Sequence, residues 1–385
     1  MCRNPSGERA AAGPADSSAA IDPPIALSRP SLGAGEQAAC RRVLRSGVLT
    51  GGPEVDAFES AFAARVGAAH AVATSSGTAA LWLALAALDL GPDDEVVVPA
   101  HTFIACANAV RLHGARVVLA DVADDDLNLD PAALARVVGS QTRAVLAVHQ
   151  YGTPADLEAI ARAAPPAVLL EDAACAVGAA TAAGPVGAGP GRAACFSFHP
   201  RKTITTGEGG MLVTADAGLA ARLRALRQHG LGPQGFREPG ANLRLGELPA
   251  AVGRAQLARL DDLLARRRRV ADQYAAGLAG LDWLQLPLAA SGVLPSHQSY
   301  VVRLRPGAPI GRDALLAALR GRGIGCQAAA APVHHHPGYQ DSARGPLPVA
   351  ERAGREGLFL PMHAELDRAQ VARVCEALCT IGGCA

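Results

Sequence analysis

From Ile25 onward, apolar and polar positions fall into a regular alternation of helical and strand patterns. Pro53 stands where a first helical residue should, and Val55, Phe58, Phe62 and Val66 follow at three- and four-residue steps, so an amphipathic helix is expected. Short β-rich runs then appear at 95–99 (EVVVP), 115–121 (ARVVLAD), 143–149 (RAVLAVH), 167–171 (AVLLE) and 193–198 (AACFSF). They are apolar without polar alternation, the mark of strands covered on both faces, and helical patterns at 78–90, 102–113, 131–138 and 154–164 separate the earlier ones. Such a succession predicts an α/β fold with a mostly parallel central sheet flanked by helices. Residues 246–279 read as one long helix whose run Arg266–Arg269 is a solvated face. Beyond Trp283 the pattern changes to a strand (299–304), a helix (312–321), a loop rich in His and Pro, and two more helices. The expected organisation is a disordered leader (1–24), a large domain (25–280) and a smaller α+β C-terminal domain (281–385).

Charge and composition narrow the function. Lys plus Arg (36) nearly cancels Asp plus Glu (35), so no global field draws the chain to nucleic acid or to an anionic membrane. Aromatics make up 3% of the residues, too few for surfaces that stack bases. The longest apolar run, 79–88, is too short to span a bilayer. Nine cysteines without a CxxC pair point to a reducing, cytoplasmic setting. The tract His334–His336 could be read as a metal site, but consecutive side chains seldom converge on one ion, so no metal is expected.

Three segments carry candidate chemistry. In CFSFHPRKTITTGEGGM (195–211) a buried-looking strand runs into Pro200, then Lys202, then a Thr/Gly-rich turn and a second strand. The basic residues of this chain are almost all Arg, and only an amine forms a Schiff base, so Lys202 stands out. In LLEDAACAVG (169–178) a strand ends in Glu171–Asp172, and an acid at the carboxyl end of a central parallel strand faces the ligand crevice. In ATSSGTAAL (73–81) small hydroxylated residues and a glycine precede an apolar helical run, which offers free N–H groups and a helix dipole to a phosphate. A plain helix cap explains that segment, and an N-cap explains the acid, when each is taken alone. Phosphate cradle, acid and amine together match pyridoxal phosphate (PLP), which has a phosphate, a ring nitrogen and an aldehyde to engage. Neither GxGxxG between a first strand and helix nor GxxxxGK[ST] occurs, so the common nucleotide-binding loops fit badly.

Together with VVVPAHTFIACANAV, VHQYGTPADL, RQHG, ANLRLGELPAAVGRAQL and APVHHHPGY, these blocks resemble the fold-type-I, PLP-dependent sugar aminotransferases of the DegT/StrS family over essentially the whole chain from Ile25. The resemblance implies that Lys202 condenses with the cofactor and then moves the proton, while Asp172 pairs with the pyridine nitrogen. It implies Gly77, Thr78 and Ser197 on the phosphate, with Ser76 close by, and Phe103 stacked on the ring. Asn242 would reach the phosphate of a neighbouring subunit, making a homodimer the active unit, and Tyr151, His229, Arg244 and His334 would approach the sugar. One departure is Cys175, where many relatives carry His or Gln against the cofactor's phenolic oxygen; a thiol is a weak hydrogen-bond partner.

The activity this implies is transfer of an amino group from an amino acid, glutamate being expected, to a nucleotide-activated keto-deoxysugar, with pyridoxamine phosphate between the two half-reactions. The ITTGEGG form of the lysine block is more similar to relatives acting on C4 of a 4-keto-6-deoxy sugar. An alternative keeps the cofactor but takes a ketocyclitol of the scyllo-inosose type, with glutamine as donor. A sugar dehydratase of the same family would carry His in place of Lys202, and a non-catalytic regulator would not need the intact set.

Overall fold

The computed structural model describes residues 23–383; most of the expected leader, residues 1–22, lies outside them. One sheet is built from β1 (His70–Thr74), β2 (Glu95–Pro99), β3 (Arg116–Ala120), β4 (Thr142–Val148), β5 (Val168–Asp172), β6 (Ala193–Ser197) and β7 (Gly210–Thr214). Their spatial order is β1-β7-β6-β5-β4-β2-β3. Pairing is parallel throughout except on the two sides of β7, which runs against both β1 and β6. Two reversals cancel, so β1 points the same way as β6, β5, β4, β2 and β3. The carboxyl ends of six strands therefore share one edge, where open α/β sheets bind ligands.

Both faces of this sheet are covered. Along β2, Val96 and Val98 join a core with α3 (Gly77–Ala86), α4 (Ala105–Arg111) and α7 (Ala217–Arg227), whereas Val97 faces α5 (Pro131–Val137) and α6 (Leu157–Ala163). That is why these strands read as unbroken apolar runs; each fully buried Val or Leu contributes about 1.5–3 kcal/mol. A third core joins α2 (Pro53–Val66) to β6 through Phe58, Phe62, Phe196 and Phe198. Their ring centroids lie 5.0–6.1 Å apart, mostly edge to face. So four of the seven phenylalanines form one rigid platform beneath the segment that carries Lys202. The start of α2 is fixed from afar: the buried Glu247 carboxylate accepts from the N–H groups of Gly52, Glu54 and Val55.

The expected long helix is two helices, α8 (Glu247–Leu257) and α9 (Leu260–Leu278). The break falls where the Arg259 guanidinium is held by Glu36 and Ser31, near the amino end of α1 (Ala34–Ser46), and its N–H tightens onto the Gln256 carbonyl. A second, four-stranded sheet contains β8 (Leu284–Gln285), β9 (Tyr300–Leu304), β10 (Gln327–Ala328) and β11 (Gly357–Leu360), ordered β8-β9-β11-β10 and antiparallel. It packs with α10 (Arg312–Gly321), α12 (Arg368–Ile381) and the end of α9. Strand β11 follows directly on α11 (Pro348–Glu356), in a stretch where the sequence pattern shows only helices. Ile25 bridges to Ile324 and is buried in this second core, not with the large sheet. No helix among the described residues is long and apolar enough to cross a membrane.

Candidate active site

The shared strand edge gathers the predicted residues. Asp172 closes β5, its side chain buried, with one carboxylate oxygen accepting from the Ala174 N–H at 2.9 Å. Ser197 closes β6, and Lys202 lies in the β6–β7 connection. Threonines shape that connection: Thr205 Oγ1 donates to the Phe198 carbonyl, Thr206 Oγ1 donates to the Glu208 carbonyl, and the Gly207 N–H donates back to Thr205. The Lys202 N–H closes a turn onto the His199 carbonyl, and Gln298 holds the Arg201 carbonyl at 2.7 Å. The peptide group leading into Lys202 is thus held through both its N–H and its C=O, and the lysine amine reaches Cys175 Sγ at 3.2 Å. Lys202 is the only lysine in the chain.

The phosphate candidates meet where β1 enters α3. The end of β1 is anchored by Glu59, which accepts from the Ala73 N–H and pairs with Arg224 and Arg227. Ser76 is the N-cap of α3: its hydroxyl accepts from Ala79 N–H and its carbonyl from Ala80 N–H. That leaves the Gly77 and Thr78 N–H groups for a ligand, and Thr78 is exposed. A Cβ on Gly77 would stand 2.7 Å from Ser197 Cβ, so only glycine lets the helix start and the Ser197 hydroxyl share one small cradle. Cradle, buried acid and single amine fit PLP: each of its three anchoring groups has a counterpart of the right chemistry on this edge.

Phe103 precedes α4 and is 70% exposed, which excludes a core role and leaves a free ring face. Tyr151 has φ 57°, its hydroxyl lies 2.7 Å from His101 Nε2, and its ring packs on Phe359 of the second sheet. Burial pushes the Tyr151 phenol well up and lowers the His101 imidazole to about 4, so this pair stays neutral near pH 7. His229 (φ 59°) and Asn242 are exposed, and the Gln228–Asn242 bridge and the Thr74–Arg244 bridge lay this segment beside the end of β1. His334 follows Val333, whose N–H donates to the Ala100 carbonyl just past β2. The expectation that the consecutive histidines diverge is not met. His334, His335 and Glu351 each place a ligand-type atom within 4.8 Å of the others, with His334 Nε2 at 3.4 Å from Glu351, because a 3₁₀ turn at Val333–His335 brings the two rings together edge to face.

Sequence reasoning missed three residues that complete the site. Cys106 Sγ lies 3.0 Å from the second Asp172 oxygen, and Thr102 Oγ1 lies 3.4 Å from the same sulfur. His101 is the third. Thr102 and Cys106 are four positions apart, the spacing that puts two side chains on one helix face, and that spacing was the available signal.

A buried acid on the strand edge, a lysine on the adjacent loop and a glycine-led phosphate cradle define a fold-type-I, PLP-dependent transferase. Residues 30–379 match the DegT/DnrJ/EryC1/StrS aminotransferase family, and the chain belongs to it as a PLP-dependent aminotransferase. It is 42% identical over 354 residues to the dTDP-3-amino-3,4,6-trideoxy-alpha-D-glucose transaminase of Streptomyces venezuelae, covering 90% of this chain and 92% of that one. It is 42% identical over 327 residues to the GDP-perosamine synthase of Caulobacter vibrioides, covering 83% and 88%. Among solved structures, S. venezuelae DesV in complex with a ketimine intermediate superposes with TM-score 0.87 at 40% identity, covering 92% of this chain and 98% of that one. The sugar aminotransferase Spr1654 of Streptococcus pneumoniae, named there as putative and solved in a PLP form, superposes with TM-score 0.87 at 26% identity, covering 94% and 99%.

Proposed function

We propose that this enzyme aminates a keto group on a nucleotide-activated deoxysugar, C4 of a 4-keto-6-deoxy sugar being the expected position, with glutamate as donor. The observation that carries the reading is the single lysine of the chain standing beside the buried Asp172 edge, in a family whose 42%-identical relatives are named for dTDP- and GDP-linked amino sugars. When bound, PLP supplies an electron sink that makes the proton on the substrate carbon labile.

The chain's own residues do the rest. Gly77, Thr78 and Ser197 bind the phosphate through two N–H groups and hydroxyls at the positive end of α3. Asp172, negative and buried, holds a proton on the ring nitrogen. Phe103 offers a flat partner to one ring face. The Lys202 amine, on a loop pinned at both ends, takes the proton from the substrate carbon and returns it elsewhere. Tyr151, His229, Arg244 and His334 line the approach for the sugar. The active unit is a homodimer in which Asn242 of one subunit reaches the other's phosphate; its exposure here supports that. A boundary near residue 280 divides the chain into the large unit and a smaller one.

The test incubates purified enzyme with glutamate or glutamine and a panel of dTDP- and GDP-linked 3-keto and 4-keto deoxysugars and scyllo-inosose, with products read by mass spectrometry. Amination of a 4-keto sugar nucleotide with glutamate is expected. Turnover of the cyclitol alone would overturn the reading.

A further inference from the structure

The contact between Cys106 and Asp172 has no role in the reading above, yet it is the only side-chain hydrogen bond to that carboxylate among the described residues. Cys106 is fully buried on the first turn of α4, and Thr102, 2% exposed, touches its sulfur from the preceding turn. The proton count fixes the direction of this chain. A thiol has one proton, and an ionised carboxylate has none to give, so the 3.0 Å contact runs from Cys106 S–H to Asp172 Oδ2. The 3.4 Å contact must then run from Thr102 O–H to the sulfur lone pair. Burial and the Asp172 charge both push the Cys106 thiol well up, so it stays a donor across the working pH range.

We propose that Cys106 is a positioning residue for the transamination: its thiol locks the rotamer of Asp172 while taking little of the carboxylate's charge. Donor strength is what suits a thiol to this place. Asp172 uses one lone pair on Ala174 N–H and one on Cys106, which leaves about two of its four lone-pair sites for the ring nitrogen. A hydroxyl or ammonium in place of the thiol would orient the carboxylate equally well but drain its charge through a stronger hydrogen bond. A methyl group would leave the charge and lose the orientation. The thiol does the first job without the cost of the second. The inference rests on the assignment of Asp172 to the ring nitrogen.

The test uses the PLP-loaded enzyme carrying Cys106→Ala or Cys106→Ser, with a readout on the cofactor-free protein beside it. In Cys106→Ala, kcat falls about tenfold with KM for the keto sugar within about twofold, and the pH midpoint of the cofactor's visible band shifts while the melting temperature stays close to wild type. Cys106→Ser restores the rotamer and recovers kcat to within about threefold, but its stronger donor moves the pH midpoint of the band relative to wild type. In cofactor-free protein, the S–H stretch seen by Raman difference between wild type and Cys106→Ser sits low, as for a thiol donating to a carboxylate, and rises in Asp172→Asn. Unchanged kcat and band midpoint in Cys106→Ala overturn the proposal. So does loss of kcat in step with melting temperature without rescue by serine, or an S–H stretch indifferent to Asp172→Asn. A wild type that binds no PLP would instead sink the aminotransferase reading, and the Raman result would still report on the thiol–carboxylate bond.

Discussion

Cys175 Sγ stands 3.2 Å from the Lys202 amine, so the only lysine of the chain touches a thiol at the place where its chemistry is needed. Cys175 sits in the turn after β5, its carbonyl held by Ser296 Oγ at 2.7 Å, and its side chain is half-buried. A sulfur in that position is within reach of reagents entering the cofactor site. Iodoacetamide is therefore expected to inactivate cofactor-free enzyme and to block PLP uptake, whereas PLP added first protects. Cys175→Ser should keep activity within about threefold, because a weak hydrogen-bond partner is being exchanged for another small one. It should also lose the sensitivity. Equal inactivation of Cys175→Ser would mean that the reagent acts at another cysteine, such as the half-buried Cys40 or Cys379.

Asp172→Asn separates charge from shape. The amide can still accept from Ala174 N–H, so the local turn survives and the melting temperature should move by only a few degrees. What goes is the negative charge proposed to hold a proton on the ring nitrogen. Turnover is expected to fall by about 10²–10³-fold, the scale of losing one preorganised electrostatic contact. Rate and melting temperature measured on the same preparation check this, and a rate loss under fivefold would remove Asp172 from the catalytic set.

The large sheet was legible because strands buried on both faces leave unbroken apolar runs, as at Val96–Val98 and Leu169–Leu170, and helical periodicity separates them. Lys202 and Asp172 were legible for a different reason: each is a residue type that the surrounding pattern does not require. The break at Ala258–Arg259 was not, because no Gly or Pro marks it; it is imposed by Glu36, more than 200 positions away. Cys106 was hidden likewise. A buried cysteine in an apolar helix reads as a small hydrophobe until the fold brings the end of β5 to its sulfur.

Gly77 tests the phosphate cradle. It starts α3 with ordinary backbone angles, so alanine there carries no conformational strain, and the conflict is entirely with Ser197, whose Cβ would lie 2.7 Å from the new methyl. Gly77→Ala should cost about 1–3 kcal/mol by overpacking, read from urea denaturation of cofactor-free protein. It should also weaken PLP by at least about tenfold in a direct titration, since α3 must move off Ser197. Undiminished affinity would place the phosphate elsewhere.

Two histidines make the fold sensitive to mild acid. Burial lowers both His101 and His363 from 6.5 to about 4, with Arg303 acting on the first and Arg267 on the second. Between those values the unfolded chain binds protons that the folded chain refuses. Stability is therefore full above about pH 6.5 and declines as pH falls toward 4. His363 lies outside the proposed site, so His363→Gln isolates the effect. The urea midpoint should drop less between pH 7 and pH 5 in the variant than in wild type. Parallel curves would mean that His363 is protonated in the folded state.

An active site shared between subunits, as proposed, makes a prediction that neither subunit alone can satisfy. Lys202→Ala removes the amine from the subunit that carries it, while Asn242→Asp sets a carboxylate against the phosphate bound by the other subunit. Each homodimer should be nearly inactive. In a dimer of one Lys202→Ala chain with one Asn242→Asp chain, the two sites differ. One combines both defects. The other takes Lys202 from the Asn242→Asp chain and Asn242 from the Lys202→Ala chain, and is intact. Random exchange makes half the dimers mixed, and half the sites in those are whole, so activity should return to about a quarter of wild type after unfolding and refolding the two variants together. The exposure of Asn242 and of the 70% accessible Phe103 fits surfaces that a second chain completes. If Asn242 instead served its own chain's phosphate, every site in the mixture would carry one defect, and no mixing ratio would restore turnover.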